Sequence, residues 1–217
     1  MADGRVFVAP LTATNPRIYD PATNSTMVSA AIYPGGSAVI SGLLLPDGRV
    51  YSVASAGTTA RIYDPITDTV VTPVGTFGTG NHVNSAVLMA DGRVFCVPFN
   101  GTTCRVYDPI TNTMTTPGST FPGSGAFVGG ALLPDGTIFC APFQSTSARI
   151  WDAETDTLIT PPVTYPGGTN PLYGCVLLRD GSVYSVPCRS QSTVRYSRGY
   201  INQLPDARIL SAYDNRL

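Results

Sequence analysis

The dipeptide Asp-Gly stands at Asp3, Asp47, Asp91, Asp135 and Asp180, in steps of 44, 44, 44 and 45 residues. Few features constrain a fold more than self-similarity at such a period. Each unit must be one supersecondary structure that buries its apolar face against the next. Other columns keep the step: Arg17, Arg61, Arg105 and Arg149; Tyr19, Tyr63, Tyr107 and Trp151; Tyr33, Phe77, Phe121 and Tyr165. Asp47–Ala90 and Asp91–Pro134 share 20 of 44 positions, too many for unrelated stretches. The units are copies of one another.

One copy reads as four short strands. "AVISGLLL" ends at Pro46-Asp47-Gly48, a turn that reverses the chain into "RVYSVA". "TARIYD" follows, then the turn "DPITDT" and the strand "TVVTP". In that turn Pro presets φ, while the Asp and Thr side chains bond nearby backbone. Four strands in 44 residues predict one blade of a β-propeller. The turn density excludes a helical solenoid, and a parallel β-helix has much shorter coils. We label the strands a to d, with a innermost. The expected fold is an all-β, five-bladed β-propeller of four antiparallel strands per blade, forming a single domain over 1–217.

The phase of the repeat carries a further expectation. The first copy has strands b, c and d but no strand a. Near the other end, "RILSAYDNRL" aligns with "SAVLMADGRV", so that Asp214-Asn215 falls on Asp91-Gly92. Asn is the usual substitute for Gly where φ must be positive. Arg208–Ala212 is therefore expected to supply the missing strand, with 207–217 closing the ring against Arg5–Pro10. In the fifth copy "YINQ" is expected to serve as strand d.

The motif "LLPDGRVY…ARIYDPITDTV" resembles the repeat of the kelch and galactose-oxidase-like propellers, in which a strand-c Tyr precedes a strand-d aromatic. Two departures mark this chain as kelch-like only. The strand-b Gly-Gly is replaced by Val53-Ala54, Val97-Pro98 or Ala141-Pro142, and the strand-d Trp by Val70, Met114 or Leu158. The resemblance implies the propeller but not the family's copper site, because the chain has a single histidine, His82.

Composition narrows the function. Charged residues are 12% and the net charge is -1, so no basic field is available for nucleic acid or an anionic membrane. No apolar run reaches membrane-spanning length, and a signal peptide is not discernible. The five cysteines are an odd number without metal spacing and read as reduced, which suggests intracellular synthesis. No cofactor or metal is expected. Strand a carries no Asp or Glu in any copy, against the paired carboxylates of a propeller glycosidase. Phosphate loops, nucleophile elbows and Cys-x-x-Cys motifs are lacking. No catalysis is expected.

Two columns have structural explanations. The Arg column could mark an anion site, but it recurs with Asp20, Asp64, Asp108 and Asp152, and Arg–Asp pairs bracing neighbouring turns are the preferred reading. The strand-b column Val8, Ser52, Cys96, Cys140 and Ser185 is small because inner strands are crowded. The a–b and c–d turns are nearly constant, whereas the b–c and d–a loops vary and share the opposite face, which makes that face the candidate for recognition. It carries Tyr33, Phe77, Phe121, Tyr165, Phe99, Asn100 and Phe143. Asn81, His82 and Asn84 break the pattern of the other copies there. Aromatic rings among neutral hydrogen-bonding groups suit a protein or glycan partner. The expected function is a binding or structural module, of the kind amplified in virion or microbial surface recognition or in engineered repeat proteins. The alternative is a multivalent lectin with one sugar site per blade.

Overall fold

The computed structural model describes residues 1–10, 13–33, 39–54, 58–78, 82–165, 172–188 and 194–197. Among these residues there is no helix, and eighteen strands form five antiparallel sheets. The first sheet holds β1 (Val6–Val8), β2 (Arg17–Asp20) and β3 (Ser25–Val28). The second runs β4 (Val39–Leu44), β5 (Val50–Ala54), β6 (Arg61–Asp64), β7 (Thr69–Val71). The third runs β8 (Val83–Leu88), β9 (Val94–Pro98), β10 (Arg105–Asp108), β11 (Thr113–Thr115). The fourth runs β12 (Phe127–Leu132), β13 (Ile138–Pro142), β14 (Arg149–Asp152), β15 (Thr157–Ile159). The fifth holds β16 (Leu172–Leu177), β17 (Val183–Pro187) and β18 (Arg195–Tyr196). The expected closing strand 207–217 and the "YINQ" strand lie outside the described residues.

Turn chemistry sets the register. The a–b glycines Gly4, Gly48, Gly92, Gly136 and Gly181 all have positive φ, between 78° and 88°, which any side chain would strain. At the second of them Gly48 N–H donates to the Leu45 carbonyl at 3.0 Å, and Asp47 Oδ1 accepts from Arg49 N–H at 3.0 Å. The c–d turns place Asn24, Asp68, Asn112 and Asp156 in the left-handed region, at φ of 51°, 53°, 55° and 49°. Each of these side chains accepts a bond from the strand-c aromatic of its own sheet. Tyr19, Tyr63 and Tyr107 donate through their hydroxyls at 3.1, 3.0 and 3.1 Å, and Trp151 through its indole N–H at 2.9 Å. The column therefore uses the aromatics that carry a polar donor.

The core is a series of layers between sheets. Strands β4, β8, β12 and β16 lie side by side, each entering its sheet with a β-bulge. Between successive sheets a strand-b ring packs on the strand-c ring of the next: Phe7 on Tyr63, Tyr51 on Tyr107, Phe95 on Trp151 and Phe139 on Tyr196, at 5.2, 5.0, 4.8 and 5.3 Å. The second and third sheets enclose Tyr51, Val53, Ile62, Phe77, Val94 and Tyr107, all buried. Burying such side chains contributes about 1.5–3 kcal/mol each. Each sheet is thus held mainly by its neighbours.

Candidate functional site

Antiparallel order sends the a–b and c–d turns to one end of every sheet and the b–c and d–a loops to the other. Charge follows this division. All twelve carboxylates among the described residues lie at the turn end, five in a–b turns and seven in c–d turns. The loop end has none among the described residues. It carries instead Arg17, Arg61, Arg105 and Arg149, the first residues of β2, β6, β10 and β14.

The expected pairing of these arginines with Asp20, Asp64, Asp108 and Asp152 does not occur. Each Asp is the last residue of the strand its Arg begins, so the two side chains stand at opposite ends of that strand, about 10 Å apart at the backbone. Neighbouring sheets do not supply the contact either. The arginines turn to carbonyls: Arg105 Nε donates to the Thr76 carbonyl at 3.1 Å, while Arg61, Arg105 and Arg149 donate through Nη1 to the carbonyl of the preceding residue at 2.9, 3.0 and 3.0 Å. The Asp residues cap their own turns, Asp64 and Asp108 accepting from Ile66 and Ile110 N–H at 2.8 Å. Ion pairs form at the a–b turns, where Arg5, Arg49 and Arg93 meet Asp3, Asp47 and Asp91 at 2.7, 2.6 and 2.7 Å. Arg195 pairs with Asp180. Burial works against ionisation of Asp47, yet the bonds from Arg49 outweigh it and hold the carboxyl below its ordinary value.

Four of the expected contact aromatics are corrected by burial. Tyr33, Phe77, Phe121 and Tyr165 are 2%, 1%, 1% and 1% exposed, so their rings anchor the d–a loops in the core and present nothing to a ligand. Each sits by the small strand-b residue of the following sheet, and the two columns change together: Tyr33 with Ser52, Phe77 with Cys96, Phe121 with Cys140, Tyr165 with Ser185. The hydroxyls of Tyr33 and Ser52 share a bond of 3.0 Å. Those of Tyr165 and Ser185 are close but lack hydrogen-bond geometry. Cys96 instead shares a contact of 3.0 Å with the Tyr51 hydroxyl. Burial pushes the Cys96 and Cys104 thiols up to about 12, which makes them poor nucleophiles.

The other expected residues do meet at the loop end. Phe99 and Phe143 are partly buried, their rings 5.6 Å apart, and Asn100 is exposed beside them. A belt of backbone bonds links them around the inner rim: Phe99 N–H to His82 carbonyl at 2.7 Å, Ala126 N–H to Phe99 carbonyl at 2.9 Å, and Phe143 N–H to Ala126 carbonyl at 2.7 Å. His82 is half-buried against Gly101, where an added Cβ would stand 2.3 Å from its Nδ1. That Nδ1 is buried without a hydrogen-bond partner among the described residues. Asn84 occupies the bulge of β8. Asn81 lies outside the described residues.

Three surface features escaped the sequence reading. Tyr173, at the bulge of β16, is 69% exposed. At the turn end, a cavity of about 390 Å³ lies between the first two sheets, lined by Asp3, Arg5, Asp47, Arg49, Asp64 and Ile66. Its counterpart of about 360 Å³ between the second and third sheets is lined by Asp47, Asp91, Arg93, Asp108, Pro109 and Ile110. Ile66 and Ile110 are both 91% exposed. The repeat could have revealed these clefts, since their lining residues recur 44 positions apart.

No family model matches the chain, and no curated protein matches it in sequence. Solved structures do match in shape. A catalytically inactive histidine-to-alanine variant of virginiamycin B lyase from Staphylococcus aureus, solved with quinupristin, aligns with TM-score 0.79 and 11% identity over 92% of this chain and 65% of that one. A streptogramin B lyase gives TM-score 0.74 and 13% identity, over 90% of this chain and 66% of that one. The extracellular domain of BT4673 from B. thetaiotaomicron gives TM-score 0.65 and 12% identity, over 86% and 25%. The fold is a β-propeller. The chain spans 65% of the first lyase's length, and the likeness is one of fold. It supports the propeller without placing the chain among the kelch or galactose-oxidase proteins. It also corrects the expectation of no catalysis, because proteins of this shape include lyases, and the fold by itself does not exclude an enzyme. The missing strand-a carboxylates argue only against a paired-acid glycosidase and never bore on lyase chemistry.

Proposed function

We propose that the chain is a recognition module whose loop end binds a protein or glycan partner. The observation that carries this reading is the separation of charge, which leaves the loop end without a described carboxylate around the Phe99–Phe143 pair. Aromatic faces with neutral and guanidinium donors suit a partner rich in hydroxyl or acidic oxygen. Glycan-array binding followed by calorimetric titration tests it. Phe99→Ser with Phe143→Ser is expected to lower affinity at least tenfold while the far-ultraviolet spectrum is unchanged. Affinity unchanged by both substitutions would refute a loop-end site. The multivalent reading is favoured by the two equivalent turn-end cavities, and would show as several equal sugar sites lost with Ile66→Glu and Ile110→Glu.

The finer architecture belongs to the same proposal: five kelch-like blades, with Arg208–Ala212 paired to β1. Support comes from the inner edge of β1. Val6 and Val8 are 48% and 45% exposed, whereas every residue of β9 and β13 is buried. A cavity of about 220 Å³ beside β1 is lined by Val6, Phe7, Gly42, Leu44 and Val50. Deleting 207–217 is expected to abolish cooperative melting, and a truncated chain that melts like the whole one would sink the idea.

A further inference from the structure

Strands β2, β6, β10 and β14 each begin with Arg at the loop end and finish with Asp at the turn end. Both charges of a strand therefore stand in the same sheet and at the same distance from the inner strands. A second copy displaced along the strand direction, and turned slightly about the stacking direction because i and i+3 face opposite sides of a sheet, brings its four arginines over the four aspartates of the first, one per sheet. The wider surfaces agree. Among the described residues the turn end holds twelve carboxylates against five arginines (Arg5, Arg49, Arg93, Arg179, Arg195), and the loop end holds four arginines and no acid.

We propose that the partner of the loop end is a second copy of this chain, stacked head to tail on its turn end. The proposal rests on the loop end being the recognition face, and it names the occupant. The cavities at the turn end provide the seats. Asp64 and Ile66 line one and Asp108 and Ile110 the other, so an incoming arginine lays its aliphatic stem on the exposed isoleucine and its guanidinium by the carboxylate. The repeat gives both ends the same spacing, so seating one arginine seats the others. Such a contact joins two different surfaces and does not close on itself, so copies add to a stack.

Sedimentation at about 30 mM and about 0.5 M salt tests this, because the contact is largely ionic. At low salt the average mass is expected to rise above 22.8 kDa with concentration, and at high salt to fall back to it. Two charge-altered variants separate stacking from misfolding. One carries Arg61→Glu, Arg105→Glu and Arg149→Glu; the other carries Ile66→Arg, Ile110→Arg and Glu154→Arg at exposed turn positions. Each alone is expected to associate at least roughly tenfold more weakly, and a mixture of the two to recover association, since the unaltered turn end of the first accepts the unaltered loop end of the second. A chain that stays monomeric at low salt, or a mixture without recovery, overturns the proposal. If the monomer still binds glycan through Phe99 and Phe143, the recognition reading survives without stacking; if it does not, both fail.

Discussion

The paired columns at the sheet junctions predict a double-mutant cycle. Tyr33 and Ser52 share a buried 3.0 Å bond, and Ser52 is 0% exposed. Tyr33→Phe keeps the ring in its slot but strands the Ser52 hydroxyl, at a cost of about 1–3 kcal/mol. In a chain of this size that lowers Tm by about 2–4 °C per kcal/mol. Ser52→Cys alone leaves the Tyr33 hydroxyl facing a poor acceptor, although burial already pushes that phenol up to about 12. The double variant rebuilds the junction of the third and fourth sheets. There Phe121, Phe95 and Cys140 meet without any hydroxyl, and Tyr33→Phe with Ser52→Cys assembles the same three side-chain types beside Phe7. The double variant is therefore expected to be more stable than the sum of the singles by about 1 kcal/mol or more, measured by urea denaturation. Strict additivity, within about 0.5 kcal/mol, would refute the claim that the columns change together for a physical reason.

Three further outcomes are expected. Asn112→Ala and Asn112→Gly both remove the acceptor of Tyr107, but Ala keeps a Cβ at φ of 55° without the local side-chain bonds of Asn, whereas Gly relaxes the backbone; urea melts should find the Ala variant less stable than the Gly variant by about 1 kcal/mol. Gly101→Ala drives a Cβ into the His82 ring and should destabilise by about 1–3 kcal/mol, with recovery in Gly101→Ala/His82→Ala, since Ala126 occupies the equivalent position one sheet on. The bond from Ser119, then that from Trp151, holds the Asp156 carboxyl below its ordinary 3.8. A lowered value stabilises above the ordinary one and is lost on acidification through the folded one, so the stability gap between wild type and Asp156→Asn should be full near pH 6 and close below about pH 3.8. A gap independent of pH would remove the ionised carboxylate from the account.

Much of the fold was legible because the turns are chemically narrow. Gly suits the a–b position at φ near 85° best, and Asn or Asp suits the c–d position, so the repeat declared its strand boundaries in letters. The site was less legible. An aromatic recurring at a loop reads equally as a ligand contact or an anchor, and only the packing of Tyr33 against Ser52, nineteen positions away in the next sheet, separates the two. The arginine column misled for a different reason. Arg61 and Asp64 are close in the chain, but an extended strand carries residues i and i+3 to opposite faces and opposite ends. Strand geometry alone forbids the pair that sequence proximity suggested.

The constancy of the turn end has a cause beyond turn geometry, and the choice between Asp and Asn exposes it. Asp68 accepts from the Ser29 hydroxyl and from Ala30 N–H at 2.8 Å, both in the preceding sheet. Asp156 accepts from Gly118 N–H at 2.6 Å and the Ser119 hydroxyl at 2.7 Å, again from the preceding sheet. Asn112 faces Val74 instead, which offers no side-chain donor and pairs through the backbone: Val74 N–H to the Asn112 carbonyl and Met114 N–H to the Val74 carbonyl, each at 3.0 Å. A charged acceptor stands where the neighbour brings donors to the side chain, and a neutral amide where it does not. These turns are therefore the joints between sheets as well as the ends of strands. Asp68 and Asp156 thus add to the carboxylates that cap the a–b and c–d turns at the same end, so the end that holds the sheets together is also the acidic one.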